Sequence, residues 1–104
     1  MTRDPQVLER VKGILKIISE LAPGHAVELR IPPYAAIQCC EGPKHTRGTP
    51  PNVVEMGADE LVGLLDGSLE WVDGIRDGRI TASGERSDLS QLFQQAAATI
   101  RIAE

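Results

Sequence analysis

The stretch from Asp59 to Gly84 reads DELVGLLDGSLEWVDGIRDGRITASG, and it decides the predicted fold. Its apolar residues recur at helical spacing on either side of Gly67, which indicates two short helices. Gly67 and Gly78 are expected to end these helices, because glycine readily adopts the left-handed conformation that often follows a helix. Ser68 is the expected N-cap of the second helix, since its hydroxyl can accept a hydrogen bond from a free backbone N–H group.

A strand and a last helix are expected next. Ile80 and Ala82 should face the interior from a strand over residues 79–83. Ser87 or Asp88 can then cap a final helix. The apolar residues of that helix follow one another at spacings of three, one, three, one and three: Leu89, Leu92, Phe93, Ala96, Ala97 and Ile100. This pattern is typical of a helix that closes a core, and it equally suits a helix that covers a cavity.

The N-terminal part of the chain predicts one long helix. Asp4 can cap a helix, and Pro5 suits the first helical position. Apolar residues spaced by three and four then predict an amphipathic helix from about residue 5 to 22. Pro23 and Gly24 are expected to end it.

Three short strands are expected between this helix and the opening stretch. Alternating apolar residues predict strands over residues 25–31 and 34–40, which should pair antiparallel because only two prolines separate the alternating segments. A third strand is expected over residues 53–56. Residues 41–52, EGPKHTRGTPPN, hold two glycines and three prolines and therefore predict a long loop.

Together these elements predict a single α+β domain over residues 1–104. Its parts would be an N-terminal helix (1–24), a strand meander with a long loop (25–56) and a helix–helix–strand–helix unit (57–104). The expected sheet is mainly antiparallel, and helices cover one of its faces.

The composition excludes some classes of function. The 104 residues carry a formal net charge of −4, and the chain therefore lacks the basic field that nucleic-acid binding or attraction to an anionic membrane requires. No apolar run approaches the ~20 residues of a transmembrane helix. The first residues show no apolar signal core. A cytoplasmic protein is therefore expected.

Cys39 and Cys40 are adjacent, so they do not form a disulfide framework. A metal site with His25 or His45 is not favoured, because neighbouring strand residues point to opposite faces and zinc usually takes four ligands. One buried and one partly exposed thiol are expected. The alternative is a reactive thiol beside Lys44 and His45, whose positive charge would favour the thiolate. No cofactor and no catalytic residue is predicted.

The long loop also carries cationic side chains. Lys44, His45 and Arg47 stand among threonines and glycines, and such groups can together hold a carboxylate or a phosphate. The alternative is a solvated loop that is held only by its own hydrogen bonds.

Three short motifs resemble the second half of sterol-carrier-protein-type domains. They are Leu64-Leu65-Asp66-Gly67, Asp77-Gly78-Arg79-Ile80 and Ser83-Gly84, in the order found in those domains. The segment Ile37–Glu55 further resembles a branch called bacterial sterol carrier protein orthologues. The resemblance covers roughly residues 25–95.

This resemblance implies a twisted sheet of five or nearly five strands, with an apolar tunnel between the sheet and the helices. In such domains the tunnel takes a fatty-acyl chain or a sterol, and the last helix can act as its lid. The residues implied as the tunnel lining are Val27, Leu29, Ile37, Val54, Leu65, Trp71, Ile80, Leu92, Phe93 and Ile100. Lys44, His45 or Arg47 would meet the polar head group. Taken alone, Trp71 is more typical of a core residue than of a tunnel wall.

We therefore expect a small, non-catalytic, lipid-binding or carrier-like protein whose partner is a hydrophobic small molecule. One alternative is an interaction module of the same fold with a filled tunnel, which would pair with itself or with another protein. Its contact surface would be the apolar side of the first helix: Ile14, Leu15, Ile17 and Ile18. Another alternative is an accessory partner of a thiol-dependent enzyme, or a thiol enzyme that itself uses Cys39 or Cys40.

Overall fold

The computed structural model describes residues 4–42 and 51–103. Its elements follow the predicted order of helix, three strands, two helices, strand and helix. In chain order they are α1 (Pro5–Leu21), β1 (Val27–Ile31), β2 (Ala35–Cys39), β3 (Val53–Met56), α2 (Ala58–Asp66), α3 (Trp71–Arg76), β4 (Ile80–Ser83) and α4 (Ser90–Ala103). The α+β class is confirmed.

α1 begins and ends where its local sequence predicts. The Asp4 carboxylate accepts hydrogen bonds from the backbone N–H groups of Gln6 at 2.9 Å and Val7 at 3.4 Å, and Pro5 follows the cap. These bonds satisfy donors that the start of a helix otherwise leaves free. The helix ends at Leu21, just before the Pro-Gly pair.

The four strands form one open, mixed sheet in the order β2-β1-β3-β4. β1 pairs antiparallel with β2 and parallel with β3, and β3 pairs antiparallel with β4. The predicted meander is wrong in one respect, because β3 lies beside β1 and not beside β2. A meander needs a short turn between consecutive strands, whereas the segment over residues 40–52 is long enough to reach the far edge of β1.

β1 lies inside the sheet, and its three apolar side chains are all buried. Val27, Leu29 and Ile31 each expose 1% or less of their surface. On the same face, Leu29 lies opposite Ile37 of β2 and Val54 of β3. The other face carries exposed or half-buried polar side chains: Glu28, Arg30, Gln38, Glu55, Thr81 and Ser83. The described helices therefore cover one face of the sheet, as predicted.

The helices pack on the apolar face and on each other. α1 contacts β2 and α4, α2 contacts α4 and α1, and α3 contacts β4. Trp71 and Phe93 stack at the junction of α3 and α4, with ring centroids 5.9 Å apart and an interplanar angle of 26°. Such a pair stabilises the fold beyond the area it buries.

The link between α2 and α3 differs from the prediction at one residue. Gly67 does cap α2, with φ +87° and a 3.1 Å hydrogen bond from its N–H group to the carbonyl of Gly63. Ser68 is not the N-cap of α3, which begins at Trp71 with Glu70 in the N-cap position. The backbone N–H group of Ser68 instead donates to the Asp66 carboxylate at 2.9 Å, so Ser68 belongs to the turn that closes α2.

The prediction that Ile80 and Ala82 both face the interior is right for Ile80 only. Ile80 is 1% exposed, whereas Ala82 is exposed. Ala82 is paired with the buried Val54, but it lies on an edge strand. α3 packs against the start of β4, where Gly74 contacts Ile80, and it leaves the end of the strand uncovered.

Within residues 4–42 and 51–103, no helix combines the length and the apolar character that crossing a membrane requires.

Candidate functional site

A groove of about 510 Å³ lies on the helical side of the molecule, between α1, α2 and α4. In the described part of the chain, all of its lining residues come from these three helices. They are Glu9, Arg10, Gly13, Ile14, Ile17, Val62, Leu65, Asp66, Ile100 and Arg101. The floor and walls are mainly aliphatic, and the charged side chains are spread among them. An apolar groove with a few polar groups is the usual form of a small-molecule site.

Gly13 makes room for this groove. It lies in the middle of α1, on the stretch that faces the groove, and a Cβ atom placed on it would meet no heavy atom within 4 Å. Glycine inside a helix costs roughly 0.5–1 kcal/mol relative to alanine. The chain therefore accepts a weaker helix at the position where any larger side chain would project into the groove.

The apolar lining of the groove is held in place by the core. Ile14 and Leu65 expose only 7% and 8% of their surface, so each combines core packing with a small contribution to the groove. Ile17, Val62 and Ile100 are half-buried and present more surface. An apolar ligand that covered these side chains would remove further apolar area from water, which favours binding.

The charged groups of the groove have both signs. Hydrogen bonds from the side chain and the backbone N–H group of Ser68 lower the pKa of Asp66, and the nearby positive charge of Arg10 adds to this effect. Asp66 is therefore an anion that already has partners. Arg101, in the last turn of α4, makes no hydrogen bond or ion pair with any residue that the structure describes. Arg101 is thus a cation in the groove that can accept an anionic partner.

Two smaller spaces adjoin the groove. One, of about 240 Å³, continues along α1 and α2 and shares Arg10, Val62 and Asp66 with it. The other, of about 170 Å³, lies between the end of α2, α3 and α4 and shares Arg101. A ligand longer than the groove could therefore extend along α1 or towards the Trp71–Phe93 pair.

The ten residues implied as a tunnel lining do not come together at one place. Four of them lie on the inner face of the sheet and expose 1% or less, which leaves almost no space beside them: Val27, Leu29, Val54 and Ile80. Leu65 and Ile100 line the groove, and Trp71 and Phe93 line the smaller cavity. Ile37 and Leu92 are half-buried against the core.

The groove thus lies within the helical layer, whereas the resemblance implied a tunnel next to the sheet. Lys44, His45 and Arg47, the predicted head-group residues, lie outside the described residues. Sequence reasoning did not find Arg10, Gly13 and Arg101 as groove residues. One signal was available in the sequence. Glycine weakens the middle of a strongly amphipathic helix, so its presence there usually indicates a packing or functional role.

The two adjacent cysteines are arranged differently from the prediction. Cys39 is buried and Cys40 is half-buried, as expected, but their sulfur atoms lie only 3.8 Å apart. The rule that neighbours point to opposite faces fails here because the strand ends at Cys39, and Cys40 adopts a left-handed conformation with φ +71°. Burial raises the pKa of Cys39 to about 12, and the negative charge of Cys40 and the hydrogen bond between the two groups add to the shift.

In the described part of the chain, no cluster of three or more histidine, cysteine, aspartate or glutamate residues could hold a metal ion. The groove offers an apolar surface, and its charged side chains are of the kind that can pair with a polar end group. This arrangement suits the retention of a ligand.

The comparisons with known proteins agree with the fold. No curated protein is similar enough to the chain to count as a match. The family model described as "Bacterial SCP ortholog" matches residues 3–94, which is most of the chain. The open four-stranded sheet with helices on one face is consistent with a fold of the sterol carrier protein type. The chain therefore belongs to the family of bacterial SCP orthologues, a sterol-carrier-protein-like family.

Proposed function

We propose that this protein is a non-catalytic carrier that holds an acyl chain or a sterol-like ligand in the groove between α1, α2 and α4. The observation that supports the proposal is the groove itself, an aliphatic space of about 510 Å³ in a chain that belongs to a sterol-carrier-protein-like family. Ligand sites commonly occupy roughly 300–1,000 Å³. The groove is therefore large enough for a lipid-sized molecule.

The gross driving force would come from burial of the ligand's hydrocarbon. Each methylene group that leaves water contributes about 0.8 kcal/mol, so a partly buried acyl chain offsets the cost of association. Ile17, Val62 and Ile100 supply partly exposed apolar surface for this contact.

The polar end of the ligand would lie at the charged part of the groove. Arg101 has no partner among the described residues and could pair with a carboxylate or a phosphate. Arg10 is close enough to Asp66 to lower the pKa of that carboxyl, so it is already partly compensated. An amphiphile with a hydrocarbon body and an acidic or hydroxyl end fits this distribution.

The test combines mass spectrometry of natively purified protein with titrations of fatty acids and sterols. Saturable binding at one site per chain is expected. Gly13→Leu would place a side chain in the groove and should weaken binding at least about tenfold, or ~1.4 kcal/mol. Gly13→Ala is the matched control, since it adds one methyl group and should bind nearly as well as the original chain. No copurified lipid together with no saturable binding would contradict the proposal.

Most of the contact surface expected for the alternative, an interaction module, is buried in the structure. Ile14, Leu15 and Ile18 expose 7%, 2% and 0% and form part of the chain's own core. Ile17 is half-buried and lines the groove. Pairing with itself stays a prediction, as do the accessory role beside a thiol-dependent enzyme and the cytoplasmic location.

A further inference from the structure

β4 is an outer strand of the sheet, and the pairing pattern shows which of its backbone groups bond its neighbour β3. The N–H group of Glu28 donates to the carbonyl of Asn52, which fixes the parallel pairing of β1 and β3. In this pairing the N–H and C=O groups of Val54 point to β1, so those of the residues on either side of it point to β4. Thr81 and Ser83, which lie opposite those two residues, therefore bond β3.

The remaining backbone groups of β4 face away from the sheet. Successive strand residues direct their N–H and C=O groups to alternate sides, so those of Ile80 and Ala82 point outward. Within the described residues, these groups make no other backbone hydrogen bond. β4 contains neither a proline nor a charged side chain, which are common means of keeping an edge strand from pairing with another chain. The β4 edge can therefore take a further strand.

The sequence of β4 is suited to pairing with itself. Two antiparallel copies related by a two-fold axis place one residue opposite its own copy. With Ala82 in that position, the outward N–H group of each copy donates to the Ala82 carbonyl of the other. Thr81 then lies opposite Ser83 of the second copy, and hydroxyl pairs of this kind stabilise a sheet. The small side chain of Ala82 lets the two strands approach at the axis.

The same pairing brings opposite charges together at both ends. Arg79 precedes Ala82 by three residues and Glu85 follows it by three, so each Arg79 comes beside Glu85 of the other copy. Glu85 is exposed and has no ion pair in the described part of the chain. Arg79 has Glu60 on one side at 3.2 Å, but 49% of its side chain is still exposed. Pairing shifted by one residue would instead place Asp77 opposite Glu85, and these like charges repel.

The other edge of the sheet lacks this match. β2 is flanked by residues 32–34 and 40–42, and none of these six is a cation. The β4 edge also has apolar surface nearby, because α3 packs on β4 and exposes 68% of Val72 and 39% of Ile75. These side chains can add buried area to the strand pairing, which a stable dimer needs.

We propose that two copies of this chain form a symmetric dimer by antiparallel pairing of β4 with β4, centred on Ala82. The pairing joins two four-stranded sheets into one. The two-fold axis uses both β4 edges, so assembly stops at the dimer. The groove between α1, α2 and α4 has no β4 residue in its described lining. The dimer therefore does not depend on the proposed carrier function.

The first test is sedimentation velocity of the full chain over a range of concentrations, which should show a reversible change from monomer to dimer. Ala82→Pro removes the outward N–H group but none of the bonds to β3, so this variant should stay monomeric. Ala36→Pro is the matched control on β2. Ala36 also faces outward, since Arg30 opposite it bonds β3, and this variant should still dimerise. Circular dichroism checks that both variants fold.

Further variants test the pairing without a proline. Glu85→Lys should weaken the dimer about tenfold, because each new lysine repels Arg79 of the other copy. Glu41→Lys makes the same change of charge beyond β2 and should have no such effect. Ala82→Cys should cross-link two copies in oxidised glutathione, since facing Cα atoms about 5.5 Å apart are within disulfide range. Ser83→Cys, also exposed, should cross-link no more than the original chain does.

Three results would overturn the proposal. One is a chain that stays monomeric up to about 1 mM. Another is a dimer that survives Ala82→Pro, or that Ala36→Pro weakens equally, because the contact would then lie on another surface. The third is equal cross-linking of Ser83→Cys and Ala82→Cys, which would contradict the pairing centred on Ala82. If Ala82→Pro fails to fold, Glu85→Lys and Ala82→Cys still decide the question.

Discussion

The side-chain amide of Asn52 donates a 2.9 Å hydrogen bond to the backbone carbonyl of Ala26, which precedes β1. The same amide accepts a 2.9 Å bond through its Oδ1 atom from the N–H group of Arg86, in the loop before α4. Asn52 exposes only 6% of its surface. One buried side chain thus joins the starts of β1 and β3 to the loop that leads into the last helix.

Asn52→Ala should therefore destabilise the fold. It leaves the buried carbonyl of Ala26 and the part-buried N–H group of Arg86 without their partner, which costs about 1–3 kcal/mol. Chemical denaturation at neutral pH measures the change. Gln91→Ala, at an exposed position of α4, is the control and should change the free energy of unfolding by less than about 0.5 kcal/mol. Equal effects of the two substitutions would contradict the stabilising role of the Asn52 hydrogen bonds.

Gly74→Ala should also destabilise the fold, because α3 approaches β4 closely at this residue. A Cβ atom on Gly74 would lie 2.5 Å from the Cδ1 atom of Ile80, which is 1% exposed. Overpacking of this kind costs about 1–3 kcal/mol. Gly13→Ala should have the opposite effect. Its Cβ would meet no heavy atom within 4 Å, and alanine should stabilise the helix by roughly 0.5–1 kcal/mol.

A double-mutant cycle checks the cause of the Gly74 effect. Ile80→Val removes the methyl group that the new Cβ would meet, so the combined variant should lose less stability than the sum of the two single changes. Strict additivity would mean that the contact between Gly74 and Ile80 is not the source of the cost.

Asp88 should make the stability of the fold depend on pH in the acid range. Its Oδ1 atom accepts a 2.9 Å hydrogen bond from the Ser90 N–H group, and the bonds to Ser90 lower the pKa of this carboxyl below its usual value of 3.8. A lowered pKa in the folded state gives stability that is present above the unfolded value and is lost as the pH falls through the folded value.

Asp88→Ala should accordingly reduce the free energy of unfolding at pH 7 by less than about 1 kcal/mol, because the group is exposed. The difference from the original chain should shrink towards zero as the pH drops below 3.8. Urea unfolding between pH 2 and 7 measures it. Asp88→Asn keeps an acceptor without a titrating group, so it should retain stability with a weaker dependence on pH.

The two thiols should differ in their reaction with iodoacetamide. Cys39 is fully buried and its pKa is about 12, so at pH 8 it is neither accessible nor ionised. Mass spectrometry should therefore find one label per folded chain, on Cys40, and a second only after unfolding. Rapid labelling of both residues in the folded protein would show that the buried position of Cys39 is wrong.

Local signals in the sequence predicted most of the elements. Asp4 and Pro5 locate the start of α1 and Gly67 locates the end of α2, because caps act within one turn of the chain. The neighbour of β3 could not be predicted in the same way. The choice between β1 and β2 depends on a long connection and on the packing of the whole sheet.

The groove is harder to predict for a similar reason. Its walls come from Ile17, Val62 and Ile100, which are far apart in sequence and each of which resembles an ordinary core residue. The conformation of Cys40 could not be predicted from the local sequence either. Its left-handed conformation depends on the close approach of Gly24, and no pattern within β2 announces it.

Arg101 should distinguish anionic from neutral ligands of the same chain length. Because it has no partner among the described residues, it is the cation best placed to pair with a fatty-acid carboxylate in the groove. Arg101→Gln should weaken the binding of a fatty acid about tenfold, or ~1.4 kcal/mol, and leave the corresponding fatty alcohol unchanged. Arg101→Lys keeps the charge and should recover most of the affinity for the acid. Titration calorimetry with both ligands separates the contribution of the charge from that of the hydrocarbon chain. A loss that is equal for acid and alcohol would mean that the side chain contributes through its hydrocarbon stem and not through its charge.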